Sequence, residues 1–128
     1  MALNDAMAAV MGEIYALAAK GDRNAFKAID AAVNGSQLKD ADLTEKMAFF
    51  EAYGALAGAA GVTPLSRMLL SRPTLLGRGE GPETRACAAM ALGKIRTPES
   101  RNVLDRAKDD KEPLVRNAVS RALRELGA

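Results

Sequence analysis

The chain has 128 residues, 48% hydrophobic and 27% charged, with one Cys and no His or Trp, which suits one packed domain or a short array rather than two ordinary domains. Without His, and with a single Cys, it has no imidazole base, no Cys-His nucleophile, no His/Cys zinc cage and no internal disulfide, a composition compatible with a reducing cytoplasm. The net charge of +2 is unevenly placed: residues 1–64 carry five Lys/Arg against eight Asp/Glu, residues 65–128 thirteen against eight.

Leu3, Met7, Val10, Ile14 and Leu17 recur at alternating spacings of four and three, the stripe of an amphipathic helix expected to pack on the next one. Asp5 and Glu13 interrupt any apolar run of membrane-spanning length, and no basic leader precedes it, so a folded helix is expected rather than a signal peptide or a membrane span. This helix is apolar nearly all round. Met11 and Tyr15 lie off the main stripe and are candidate partner-binding residues, for another protein or for a homo-oligomer formed through helix one. Gly21 ends the helix and Asp22 opens a second, with Phe26, Ile29 and Val33 on one face, closed by Asn34-Gly35-Ser36.

Asp42 and Glu45 have capping-box spacing at the head of a third helix, whose Leu43, Met47, Phe50 and Ala57 form one stripe and Phe49, Tyr53 and Leu56 another. Gly58 and Gly61 are expected to terminate it, and Thr63-Pro64 to cap and start a fourth. Residues 71–81, SRPTLLGRGEG, form an irregular insertion. Arg72, Leu75, Leu76 and Arg78 make it a candidate partner-binding loop. GRGEG lacks the Gly-Lys-Ser/Thr ending of a phosphate loop, and Glu80 would repel phosphate. Three more helices follow, from Pro82 to about Arg96, Pro98 to about Ala107 and Pro113 to about Leu126. Leu114 belongs to the apolar side of the last, whose one apolar and one polar face suit a capping helix.

The chain partly repeats itself. PETRACAAMALG from Pro82 returns thirty-one residues later as PLVRNAVSRALR, matching Arg85 with Arg116, Ala91 with Ala122 and Leu92 with Leu123; TPLSRMLL from Thr63 returns as TPESRNVL from Thr97. Repeats of this length mean stacked helix pairs. The Pro-x-x-Arg opening, the AMALG ending, the Thr-Pro start and the DDKEPLVRNAVSRAL stretch resemble HEAT-like repeats of the short bacterial, bilin-lyase-related type. The match is good over 82–126, fair over 42–70, and a bare helix-pair pattern before that.

That resemblance implies an all-α, right-handed α-solenoid of antiparallel helix pairs, with about seven helices in a single domain: an N-terminal pair at 1–35, a repeat at 42–70, the loop at 71–81, and repeats with a C-terminal cap at 82–128. It also implies a protein-binding scaffold, non-enzymatic and without cofactor. Acidic turn residues knit such repeats to Arg side chains, which carries over to Asp109 or Asp110 with Arg116, and to Glu80 or Glu83 with Arg85. Arg85, Asp110 and Arg116 are therefore expected to serve repeat stacking, and Cys87 to be a small buried thiol.

The basic C-terminal half carries the alternative: a nucleic-acid-binding α-solenoid using phosphate contacts from Arg67, Arg96, Arg101, Arg106, Arg121 and Arg124. Interleaved Glu99, Asp105, Asp109, Asp110, Glu112 and Glu125 break any continuous positive track, so another protein is the expected partner.

Overall fold

A computed structural model of the chain describes residues 12–35, 38, 41–71 and 79–127. All regular structure among them is helical. Residues 12–19 are the described part of α1; then come α2 (Arg23–Asn34), α3 (Leu43–Ala57), α4 (Val62–Leu70), α5 (Pro82–Ile95), α6 (Pro98–Arg106) and α7 (Pro113–Gly127). The all-α solenoid expected from the repeats is the observed architecture.

Local chemistry sets most helix starts. Asp22 accepts from the Ala25 amide at 3.0 Å and Asp42 from the Glu45 amide at 2.9 Å, each satisfying one of the orphan donors of a first turn. At α6 the cap is reciprocal: Ser100 N–H donates to Thr97 Oγ1 at 3.1 Å, and Thr97 N–H to Ser100 Oγ at 3.0 Å. One boundary differs from expectation. Gly58–Gly61 form a 3-10 turn rather than a break, and α4 begins at Val62 with no side-chain cap, so Thr63 lies inside the helix. Gly58 takes φ +59, which lets the chain tighten there without a steric penalty.

The helices form two layers. α3, α5 and α7 pack side by side in one; α4 and α6 touch in the other; α2, α4 and α6 pair with α3, α5 and α7 respectively. Two close approaches hold the first layer together. A Cβ on Gly54 would lie 2.6 Å from the Ala91 carbonyl oxygen, and one on Gly93 would lie 3.0 Å from the Ala122 Cβ. Small residues at these crossings bring the axes of successive repeats together.

The core between the layers is built from Ile29, Phe50, Leu65, Leu69, Leu92, Leu104, Val115 and Val119, each at most 2% exposed. Phe26 stacks on Tyr53 with ring centroids 6.0 Å apart and extends the core towards α2.

The register of α1 departs from its expected stripe. Ile14 and Ala18 pack on the core whereas Leu17 is 48% exposed, because residues 12–19 meet the core with their 14/18 edge. Leu3, Met7, Val10 and Met11 lie outside the described residues. On α7, Leu114 is 41% exposed rather than buried, and Val115, Val119 and Ala122 carry the packing.

Candidate functional site

At one end of the first layer, a charged residue stands at the same place in each helix. The Lys46 amide bonds the Asp42 carbonyl, Arg85 the Gly81 carbonyl and Arg116 the Glu112 carbonyl, so all three donate the first helical hydrogen bond of their helix. Their side chains then reach across the stack. Lys46 Nζ pairs with Glu83 Oε1 on α5 at 3.1 Å. Arg85, 2% exposed, donates Nε to the Leu69 carbonyl at 3.0 Å and both terminal nitrogens to the Asp110 carboxylate. Arg116 Nη1 donates to the Asp110 backbone carbonyl at 3.0 Å, while Asp110 Oδ1 accepts the Glu112 amide at 3.0 Å.

Arg85, Asp110 and Arg116 thus meet in one cluster, with a pairing that differs from the expected one. The Asp110 carboxylate takes Arg85 of the preceding repeat while Arg116 takes the Asp110 backbone carbonyl, and Glu83 pairs with Lys46. Geometry explains the exchange. The turn after α6 tucks Asp110 beneath α5 at 4% exposure, and a buried guanidinium there takes the bidentate acceptor. Lys46 went unnoticed in the sequence because it is Lys where the other two are Arg; its signal was its place four residues after Asp42.

The face of α3, α5 and α7 turned away from α4 and α6 carries a groove of about 480 Å³. Its floor is α5, with Ala86, Cys87 and Met90. The α3 wall is Leu43, Met47 and Glu51, and the α7 wall starts at Leu114 and continues through Ala118 to Arg121. Met47 and Leu114 are 40% and 41% exposed, so two large apolar side chains flank a floor in which Ala86 and Cys87 recede. Lys94 and Glu125 face each other at 3.9 Å at the far end. Burial pushes the Cys87 thiol up to about 11, against the pull of the Lys46 ammonium. The thiol is therefore protonated at neutral pH and contributes packing, not a nucleophile.

Residues 73–124 match the family model of HEAT repeats. This part of the chain is made of HEAT-like repeats. The match spans α5, α6 and most of α7, where the sequence repeat is strongest, and it names HEAT repeats as such without a bilin-lyase subtype. Comparison with curated proteins finds no match.

The other candidate residues fall as follows. Tyr15 is 40% exposed on α1, on the opposite flank from Leu17; Met11, Arg72, Leu75, Leu76 and Arg78 lie outside the described residues. The two ends of the 71–81 segment are joined by the Glu80 amide, which donates to Ser71 Oγ at 3.3 Å. Of the Arg series, Arg96 bonds the Glu125 carbonyl at 3.4 Å, and the Arg101 guanidinium lies over Gly127, so both sit at the C-terminal end of α7. Cations there complement the helix dipole. Among the described residues no helix is long and apolar enough to cross a membrane.

Proposed function

We propose that the protein is a non-catalytic scaffold that holds a segment of another protein in the groove formed by α3, α5 and α7. The observation that carries this reading is the pair of exposed walls, Met47 and Leu114, over a floor in which Ala86 and Cys87 recede. Large apolar side chains left in water around a recess of small ones form a surface that gains free energy when covered. HEAT repeats are commonly protein-interaction scaffolds, which agrees with it. So does the thiol beneath the groove, which is buried and protonated and offers no nucleophile. The free Cys also agrees with a cytoplasmic setting.

Nucleic acid is the less supported occupant. Arg85 is committed to Asp110, Arg96 and Arg101 serve the end of α7, and the remaining described Arg residues divide between both layers. Phosphate recognition needs a shared basic track on one face.

The test is affinity capture with quantitative mass spectrometry on wild type, Met47→Glu and Leu114→Glu. Both sites are exposed, so each variant should melt within about 0.5 kcal/mol of wild type. Specific partners should be lost from both variants together. Partners retained by both, or capture that is released only by nuclease or salt, would overturn the reading.

A further inference from the structure

Four large apolar side chains are exposed among the described residues: Leu17 and, on the opposite flank, Tyr15 on α1, and Met47 and Leu114 on the groove walls. Leu17 stands on a ridge at one end of the stack, and the groove is a recess on the first layer. We propose that the groove takes α1 of a second copy of this chain, so that the protein associates head to tail. This names the occupant of the groove and rests on reading that groove as a protein-binding surface.

Charge placement argues for this occupant. Glu13, Leu17 and Lys20 sit at i, i+4 and i+7, on one edge of α1; the Lys20 amide bonds the Ala16 carbonyl at 3.2 Å, so the helical course reaches Lys20. All three are exposed. The edge therefore reads acid, apolar, base over about 10 Å of helix. The groove reads the complementary way across its width: Glu51 on the α3 wall, the apolar floor of Cys87 and Met90, and Arg121 on the α7 wall. The walls are two helix spacings apart, each about 8–10 Å, a span that Glu13 and Lys20 cover with their side chains extended. A helix laid across the three groove helices places Leu17 over the floor, Lys20 against Glu51 and Glu13 against Arg121. Reversing it brings like charges together, so the polarity of docking is fixed.

The contact joins two different surfaces, so each bound copy still offers one free ridge and one free groove. Such heterologous contacts propagate into rings or open filaments instead of stopping at a dimer. A protein built this way is its own scaffold, and a partner carrying a similar helix would end the chain.

Sedimentation velocity on the full chain tests the proposal. Wild type should form concentration-dependent species larger than a dimer. Leu17→Glu, which spoils the ridge, and Met47→Glu, which spoils the groove, should each be monomeric with an unchanged helical spectrum. Mixed together they should give a one-to-one dimer and nothing larger, because only one productive contact remains. Lys20→Glu and Glu51→Lys should each weaken association about tenfold, and the double variant should recover it. A wild type that stays monomeric at high concentration overturns the proposal, as does either ridge or groove variant dimerising alone or a failed charge exchange. If wild type is monomeric but Met47→Glu still loses a captured partner protein, self-docking is wrong while the groove remains a protein-binding surface.

Discussion

The Asp110 carboxylate is the contact on which the junction between the last two repeats turns. Its removal would leave the Arg85 guanidinium buried and uncompensated, and breaking a buried pair from one side costs about 3–5 kcal/mol. Asp110→Ala should lower stability by that amount in chemical denaturation. Arg116→Ala should cost only about 1 kcal/mol, because Arg116 is exposed and loses one hydrogen bond to a carbonyl. Equal losses would show that the two guanidiniums share the load and would refute the assignment of the carboxylate to Arg85. Cys87 gives a second check. Burial raises its folded-state pKa to about 11, so between the unfolded value and that one the unfolded chain releases a proton that the folded chain keeps. Its contribution is fully present below about pH 9 and is lost as pH rises towards 11. The melting midpoint of wild type should fall over that window more steeply than that of Cys87→Ala, and thiol reagents at pH 8 should label folded protein far more slowly than unfolded. Parallel pH profiles would place the thiol in water. The sequence marked Arg85 and Arg116 through the repeat, and Asp109 or Asp110 through the family resemblance. It could not assign their partners, since four acidic residues lay within reach in sequence and only the path of the turn after α6 selects Asp110.

Two glycines set how closely the helices of the first layer approach. Alanine is the better helix former by about 1 kcal/mol, so an open glycine in α3 or α5 would gain from substitution. Gly54 is not open: a new methyl would meet the Ala91 carbonyl oxygen at 2.6 Å, a backbone atom that moves only with its helix. Gly54→Ala should therefore cost about 1–3 kcal/mol net. Gly93→Ala meets the Ala122 methyl at 3.0 Å and should cost less. Thermal melts of the two variants give the order, and a stabilised Gly54→Ala would mean that α3 and α5 are further apart than described. At this level the sequence showed where helices begin, because caps and prolines act through neighbours in the chain: Asp22, Asp42 and Thr97 all sit where their side chains accept an amide three residues on. Faces were harder. Leu17, Met47 and Leu114 each lie on a periodic apolar stripe and each is exposed, because periodicity gives the width of an apolar face and not which part of it finds a neighbour.

Across the molecule, α5 is the hub, packed against α3 and α7 on its sides and α4 and α6 behind. Eight of its residues are buried, Arg85 through Ala89 and Ala91 through Gly93. Opening α5 therefore means opening the whole stack, whereas residues 12–19 meet the core through the half-buried Ile14 and Ala18. Native-state hydrogen exchange should show the slowest amides in α5, at the global unfolding free energy, and fast exchange in residues 12–19. Protection in α1 equal to that in α5 would contradict this hierarchy, unless it vanished on dilution, as association through α1 would require. The sequence by itself determined the class and the plan. Absent His and a lone Cys removed whole families of chemistry, and the return of PETRACAAMALG as PLVRNAVSRALR required helices that stack, because repeated local signals fold alike wherever they recur. Only the tertiary structure decided the surface. The groove exists because Ala86 and Cys87 recede between Met47 and Leu114, residues contributed by three separate helices, and the curvature of a stack arises from contacts between segments that no local pattern records.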